Sequence, residues 1–171
     1  MLLIDLTLLK ITSVHFFTFM IGDSVNQSAE KQGLIQKMNV TASHHGIDVM
    51  VDEAYYDNLN LQVGLRVIFP EGTKGYTYIE KLRYTLAGKT YTREYEEDLI
   101  IRGSSMKWRF IGNDTYYGTF QPMVIQVLPQ TYTMELVIER IAGIDGEWKL
   151  AVPISRKETE PLYFEVGISF P

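Results

Sequence analysis

Several stretches of this chain alternate apolar and polar residues with a period of two. In the clearest, every second residue from position 61 to position 69 is apolar, with polar residues or glycine between. A second such stretch covers residues 162–170. Successive side chains of a strand point to opposite faces, so each stretch predicts a strand with one buried and one exposed face. The residues of the first stretch that we expect to be buried together are Leu61, Val63, Leu65, Val67 and Phe69.

Turn-forming residues divide the chain into about nine or ten predicted strands with short connections. A capping box followed by Gly33 predicts one short helix over 22–34. Two of the predicted turns lie at residues 44–46 and 143–146. The long apolar segment over 131–141 predicts a central strand.

The strand predicted over 47–56 breaks its alternation once. The apolar positions before Asp52 and those after Glu53 are out of phase by one residue. A shift of this kind is typical of a β-bulge, so we predict a bulge at Asp52 and Glu53. The strand over 60–69 is its predicted hairpin partner.

Many short strands joined by short turns favour an antiparallel β-sandwich, with a closed barrel as the alternative. At 171 residues the chain is the size of one domain, which hides roughly 70% of its unfolded surface. No linker or internal repeat divides it. We therefore expect an apolar segment over 1–22 followed by a single β-sandwich domain over 23–171.

The first twenty residues are apolar, but Asp5, Lys10 and His15 interrupt them. A spanning helix needs about 20 mostly apolar residues, and a central lysine costs about 2.5–3.5 kcal/mol on insertion scales. A signal peptide begins with positive charge, which this segment lacks before Lys10. Three interpretations stay open: a buried element of the domain, a truncated membrane anchor, or a poor signal sequence. The second of these allows membrane association through residues 1–20.

The chain is acidic, with a net charge of -5 and a pI near 5.2. Neutralising phosphates requires a surplus of Lys and Arg, so we expect no nucleic-acid partner. The absence of cysteine excludes disulfides, thiolate nucleophiles, zinc–cysteine sites and iron–sulfur clusters. Glycine-rich phosphate loops and the Gly-x-Ser-x-Gly motif are missing as well. We therefore expect no catalytic residues, no cofactor and no enzymatic activity.

An acidic run provides a weak metal hypothesis. Glu94, Glu96 and Asp98 alternate along the chain and would line one face of a strand. Oxygen ligands on one face could hold calcium. The simpler interpretation is a charged edge that discourages aggregation between sheets.

Two neighbouring pairs do not meet the geometry that their chemistry needs. Adjacent residues of an extended segment point apart, so His44 and His45 cannot readily chelate one metal ion together. Glycoside chemistry would require Asp52 and Glu53 to place their carboxyl groups about 5–10 Å apart across a cleft. Because adjacent strand residues face opposite ways, we interpret this pair as solvent-exposed bulge residues.

Aromatic residues provide the candidate interaction surface. Four tyrosines could form an exposed patch, and such a patch marks a partner surface. Trp108 and Trp148 each lie in an alternating segment, where we expect them to pack in the core or at its rim. The tyrosines of the candidate surface are Tyr76, Tyr78, Tyr116 and Tyr117.

The segment over 24–69 resembles the opening of a family of unknown function found in Gram-positive bacteria. In that family the module is the extracytoplasmic part of membrane-anchored proteins that are similar to anti-sigma factors. The likeness lies in a helix ending at Gly33, the strand GIDVMVDEAYYD over 46–57, and its hairpin partner. The segment GEWKLAVPIS over 146–155 is similar to a second block of the family.

The resemblance implies an immunoglobulin-like sandwich on the extracytoplasmic face of the bacterial cell membrane, without catalytic residues. Family members usually carry a cytoplasmic sigma-binding segment and a clean membrane helix before the module. Here only twenty imperfectly apolar residues precede the predicted helix. The resemblance therefore does not extend to sigma-factor binding.

These observations predict a non-enzymatic module of a bacterial envelope protein that binds or senses an unidentified protein or cell-wall ligand. The alternatives are a hydrolytic or carbohydrate-binding jelly roll and a structural spacer. A hydrolase would present a cleft with convergent carboxylates, whereas a binding module would present aromatic residues on a flat or edge surface. If the N-terminus is not an anchor remnant, a cytoplasmic location is the alternative.

Overall fold

The computed structural model describes residues 29–57, 60–73, 79–94, 105–122 and 128–157. Within these ranges, nine β-strands follow one another along the chain. They are β1 (Ile35–His44), β2 (Ile47–Tyr56), β3 (Leu61–Ile68), β4 (Ile79–Leu86), β5 (Lys89–Glu94), β6 (Ser105–Gly112), β7 (Thr115–Gln121), β8 (Thr131–Ile141) and β9 (Ile144–Ser155).

The strands pair in antiparallel fashion and form two sheets. In the first sheet, β1, β2, β3, β7 and β6 lie side by side in that order. The second sheet has the order β5, β4, β8 and β9. Both sheets contribute to a common buried core, which confirms the predicted antiparallel β-sandwich. The immunoglobulin-like assignment, which only the resemblance implies, stays a prediction.

The alternating segment that begins at Leu61 becomes β3, and its predicted face is buried. The first four apolar residues of that face expose none of their surface, and Phe69 exposes 5%. β3 lies between β2 and β7, so a neighbouring strand flanks it on each side. β8 lies between β4 and β9, which confirms the predicted central strand over 131–141.

The predicted bulge in β2 is present at Asp52. Val51 pairs with Leu65, and Glu53 pairs with Gly64, so Asp52 is an extra residue opposite β3. This extra residue corrects the phase of the apolar positions. Both halves of β2 therefore place side chains in the common core.

Residues with positive φ close the hairpins in two-residue turns. His45 and Gly46 have φ angles of 50° and 74°, which confirms the turn predicted at 44–46. Ala87 and Gly88 repeat this geometry with φ angles of 46° and 79°. Positive φ at both central positions is typical of the type I′ turn, whose twist matches that of the flanking strands.

The turn predicted over 143–146 is placed too late in the sequence. The β8–β9 hairpin turns at Ala142 and Gly143, with φ angles of 50° and 77°, and Gly146 lies within β9. Gly146 instead makes room for packing, because a methyl group there would lie 2.5 Å from the ring of Trp148. The sequence does not distinguish a glycine needed for a turn from one needed for space.

The described part of the predicted helix is a single helical turn that ends, as expected, at Gly33. The amide of Gly33 donates to the carbonyl of Glu30 at 3.0 Å, and the amide of Leu34 donates to the carbonyl of Ala29 at 2.9 Å. With a φ of 66° at Gly33, these two bonds form a Schellman motif. The turn packs on the outer face of the first sheet through a small buried cluster of Ala29, Leu34, Ile35 and Tyr55.

Two predicted segments fall beyond the residues that the structure describes. They are the apolar segment over 1–22 and the strand over 162–170. The predicted domain boundary at residue 23 therefore stays a prediction. In the described ranges, no helix is long and apolar enough to cross a membrane.

Trp148 links the two sheets inside the core. Its side chain is fully buried, and its Nε1 donates a hydrogen bond of 2.9 Å to the carbonyl oxygen of Ile47. Its ring also meets the imidazole of His44, with ring centroids 5.4 Å apart. Trp148 belongs to β9 in the second sheet, and both contacts are to strands of the first sheet. The indole therefore connects the two sheets through one hydrogen bond and one ring contact.

Replacing Trp148 with alanine should lower the free energy of unfolding by about 3–5 kcal/mol, because it leaves a large cavity and an unpaired carbonyl. Denaturant melts of the two proteins measure this difference. Trp108→Ala is the matched control and should cost less, because Trp108 is only partly buried. A loss below about 1 kcal/mol for Trp148→Ala would show that the indole does not hold the core together.

Candidate interaction edge

Aromatic side chains gather where β6 forms an edge of the first sheet. The pairing of β6 with β7 sets Trp108 opposite Gly118 and Phe110 opposite Tyr116. Tyr116 also pairs with Val67, which is buried in the core. Directly opposite residues of antiparallel strands share a face, so these aromatic residues lie on the core side of the sheet. We call Trp108, Phe110 and Tyr116 the aromatic edge.

Gly118 provides the space that the indole of Trp108 occupies. A methyl group at Gly118 would lie 2.3 Å from Cε3 of Trp108, closer than two carbon atoms can approach. The missing side chain lets the indole pack against the backbone of β7. Glycine within a strand often marks a close approach of this kind.

The aromatic edge extends the core outward to solvent. The ring centroids of Phe69 and Tyr116 are 5.8 Å apart, and those of Tyr116 and Phe110 are 5.1 Å apart. Such spacings are favourable for aromatic pairs. Phe69 is buried and Tyr116 is partly buried, whereas Phe110 exposes 58% of its surface. Beside it, Ile111 exposes 40%.

The opposite face of β6 is positively charged. Lys107 and Arg109 alternate with the aromatic residues, and both side chains are exposed. Within the described residues, β6 pairs only with β7, so no described strand takes up the backbone donors and acceptors on its other side. The strand thus combines aromatic surface, positive charge and backbone hydrogen-bonding groups.

β5, an edge of the second sheet, has a different character. Arg93 pairs with Leu82, whose side chain is in the core, so the side chain of Arg93 lies on the inner face. Burial lowers the pKa of Arg93, and its Nη1 is buried without a hydrogen-bond partner. A charge that points inward at a sheet edge discourages another strand from pairing there.

The structure brings one of the four predicted surface tyrosines to the aromatic edge. Tyr116 belongs to it, whereas Tyr76 and Tyr78 lie outside the described residues. Tyr117 is fully buried, so its assignment to an interaction surface is wrong. Because side chains alternate along β7, Tyr117 lies on the other face of the first sheet. Its hydroxyl there lies 2.1 Å from the position that a methyl group on Gly64 would occupy.

Sequence reasoning misses Phe110 and Ile111, the most exposed apolar residues of this site. Apolar and basic residues alternate over 106–110, and this pattern predicts a strand with one face toward the core. The pattern does not show that the strand lies at an edge. The exposure of Phe110 follows from the order of strands in the sheet, which the local sequence does not encode.

The weak calcium candidate lies at the border of the described residues. Glu94 is the last residue of β5, but its side chain and the residues Glu96 and Asp98 lie outside the description. The ring centroids of His44 and His45 are 4.2 Å apart, so the expectation that these side chains point apart is wrong, and His44 also contacts a buried indole. Among the described residues, no group of three or more His, Cys, Asp or Glu side chains could hold a metal ion. The calcium hypothesis stays a prediction.

Asp52 and Glu53 form a polar cluster with Arg66 and Tyr117 on the outer face of the first sheet. Glu53 exposes only 3% of its surface, so the expectation that both carboxylates are solvent-exposed is wrong. Glu53 pairs with Gly64, and Asp52 binds the side chain of Arg66, and both of these β3 positions lie on the outer face. The expectation that the two carboxylates face opposite ways is therefore also wrong. Burial raises the pKa of Tyr117, and the charges of Glu53 and Asp52 raise it further. The bulge redirects the side chain of Asp52.

Arg66 is the cation of this cluster. Its Nη2 lies 2.6 Å from Oδ1 of Asp52, whose side chain is largely buried. Burial raises the pKa of Asp52, and the hydrogen bond and charge of Arg66 act against that increase. The second carboxylate oxygen, Oδ2, is buried without a hydrogen-bond partner. The cluster is an ion pair at the bulge and not a cleft.

A shallow groove of about 460 Å³ lies between β1 and the strands β8 and β9. Its lining includes Lys37, Met38 and Tyr132, and none of the described lining residues is acidic. The Nε2 of Gln36 donates to the carbonyl of Ser155 beside it. The hydroxyl of Tyr132 is buried without a hydrogen-bond partner. The groove offers polar contacts but not the paired carboxylates that glycoside hydrolysis needs.

The chain is similar in fold to a solved structure described as the conserved domain protein from Bacillus anthracis. The two align with a TM-score of 0.56 and 15% sequence identity over 74% of this chain. The alignment covers 43% of the other chain, so this chain spans less than half of its length. No family model and no curated protein matches this chain. At this identity the likeness shows the β-sandwich fold alone.

A methyl group at Gly118 should push the indole of Trp108 away from β7. We expect Gly118→Ala to lower the free energy of unfolding by about 1–3 kcal/mol. The fluorescence of Trp108 should also shift to longer wavelength as the ring becomes exposed. Recording the spectra in a Trp148→Phe background isolates this indole, because the chain contains two tryptophans.

Trp108→Ala is the control for this substitution. Once the indole is absent, the added methyl group at Gly118 should cost little, and a double-mutant cycle measures the difference. An equal cost with and without Trp108 would mean that the backbone, and not the indole, requires glycine.

Arg66→Met should leave Asp52 buried without its cation and lower the free energy of unfolding by about 1–3 kcal/mol near neutral pH. Removing the guanidinium raises the pKa of Asp52 further. A carboxyl group with a raised pKa in the folded protein contributes stability that is lost as the pH rises through that pKa. The loss of unfolding free energy in the variant should therefore become smaller when Asp52 is protonated at acidic pH. Urea melts at several pH values measure this change.

Lys149→Met is the matched control for Arg66→Met. It removes an exposed ion pair, in which Nζ of Lys149 lies 2.9 Å from Oε1 of Glu147. Exposed ion pairs contribute about 0–1 kcal/mol, so the free energy of unfolding of this variant should stay close to that of the natural chain at every pH. A deficit of Arg66→Met that does not change with pH would contradict the role assigned to Asp52.

Proposed function

We propose that this chain is a non-enzymatic binding module of a bacterial envelope protein, located on the extracytoplasmic side of the membrane. It binds a protein partner through β6 and the aromatic edge. The exposure of Phe110 on an edge strand carries the proposal, because most large apolar side chains of the described residues are buried. Aromatic residues and arginine are enriched at protein interfaces, and both occur here together.

The arrangement of the acidic residues favours binding over hydrolysis. Asp52 forms an ion pair with Arg66 at the bulge. Glu53 is buried beside Asp52 on the outer face of the first sheet. The groove beside β1 has no acidic residue among its described lining residues. A hydrolytic jelly roll would instead need two carboxyl groups that converge on a substrate cleft.

The extracytoplasmic location is supported by the resemblance of residues 24–69 and 146–155 to the outer module of anti-sigma-factor-like proteins. The described parts of these blocks fold into a helical turn, three consecutive strands and most of β9. This order of elements agrees with the order that the resemblance implies.

Labelling of single engineered cysteines in intact cells tests both parts of the proposal, because the chain contains no cysteine of its own. Lys149→Cys places a thiol on an exposed part of the second sheet, and Ile111→Cys places one beside the aromatic edge. A membrane-impermeant maleimide should label Lys149→Cys equally fast in intact cells and in the purified chain. Ile111→Cys should react several-fold more slowly in cells, because the partner covers it.

Two results would overturn the proposal. Labelling of Lys149→Cys only after the cells are opened would refute the extracytoplasmic location. Labelling of Ile111→Cys as fast in cells as in the purified chain, or slowing of both thiols alike, would refute binding through β6.

A further inference from the structure

We infer that the partner contributes an extended segment that adds to the first sheet as a strand beside β6, with apolar and acidic side chains in alternation. The inference rests on the proposed function and specifies the chemistry of the partner. It combines three properties of β6: an unpaired backbone edge among the described strands, aromatic residues on one face, and cations on the other.

The bulge at Ile111 sets the length of the acceptor strand. β6 keeps a regular register with β7 from Ser105 to Phe110, and beyond it Gly112 pairs with Thr115. Ile111 is thus an extra residue that interrupts the ladder. At about 3.4 Å per residue, the described regular part offers an edge of roughly 20 Å, which accommodates a segment of at least about six residues.

The aromatic face of β6 would pack against apolar side chains of the added strand. Directly opposite residues on neighbouring strands lie about 5 Å apart and contact each other. Phe110 contributes the larger accessible surface, because the indole of Trp108 is partly covered against Gly118. Strand addition typically gains its affinity from main-chain hydrogen bonds and its specificity from alternate side chains.

The other face of β6 favours acidic side chains in the partner. Its charged residues, Lys107 and Arg109, are both cationic and both exposed. This local charge contrasts with the net charge of -5 of the whole chain. Opposite charges directly across two strands are favourable, so glutamate or aspartate facing these positions stabilises the added strand.

The same cations argue against a second copy of this chain as the occupant. Antiparallel pairing of two β6 strands about a twofold axis perpendicular to the sheet would set Lys107 and Arg109 opposite each other or opposite themselves. Like charges across a strand pair are destabilising, and β6 has no acidic residue to offset them. The observations therefore favour a different polypeptide.

Two synthetic peptides test the charge preference on the purified full chain. One alternates valine with glutamate and the other alternates valine with lysine, and fluorescence anisotropy measures their binding. The glutamate peptide should bind at least tenfold more tightly. A chain carrying both Lys107→Glu and Arg109→Glu should reverse this preference, whereas Lys149→Glu, an exposed charge reversal on the other sheet, should leave it unchanged.

Methylation of the peptide backbone tests whether binding is strand addition. Only every second amide of an added strand faces its neighbour. N-methyl groups on one alternate set of amides in the glutamate peptide should therefore abolish binding, and those on the other set should leave it intact. If apolar contacts alone held the peptide, without backbone pairing, the two methylated peptides would bind with equal affinity.

Three results would overturn the inference: no binding of the glutamate peptide, equal binding of the two methylated peptides, or an unchanged preference in the charge-reversed chain. The cysteine experiment separates this failure from failure of the proposed function. If Ile111→Cys remains protected in intact cells while the peptides fail, a partner occupies the edge by a different mode of contact.

Discussion

The buried hydrogen bond from Trp148 to the carbonyl of Ile47 constrains how the two sheets lie on each other. Apolar contact between sheets is non-directional, so it favours burial without selecting one alignment. A fully buried donor must be satisfied, and the acceptor here belongs to the opposite sheet. The ring contact with His44 adds a second constraint between β9 and the first sheet. Together with the hydrogen bond from Gln36 to the carbonyl of Ser155, these contacts set the alignment of β9 with β1 and β2.

Ring contacts extend this arrangement toward β6. Tyr84 stacks on Tyr91 within the second sheet and meets Phe120 of the first sheet edge-on, with centroids 5.1 Å apart. Phe120 pairs with Met106, so these rings lead directly to the edge strand. The exposed aromatic surface is thus the outer end of the core and not a separate patch.

The sequence allowed the fold to be predicted wherever a local pattern decides the structure. The alternation from Leu61 to Phe69 and the glycine turn at Gly46 are examples, because burial on one face and positive φ depend on neighbouring residues. The candidate site was less predictable. Tyr117 is buried on the outer face of the first sheet, where its phenol lies beside Gly64 and the carboxylates of the bulge. Phe110 is exposed because β6 is the last described strand of its sheet. Both properties come from tertiary arrangement.

The inward-facing Arg93 on β5 limits how many partners the domain can hold through its sheet edges. Continuous growth into a fibre requires two adhesive edges on every subunit, so that each copy both receives and donates a strand. Here the cation blocks β5, and β9 packs against β1 on the other side of the sandwich. If a partner strand adds to β6 as proposed, no second described edge is open to pass the pairing on, so an assembly would end at this domain.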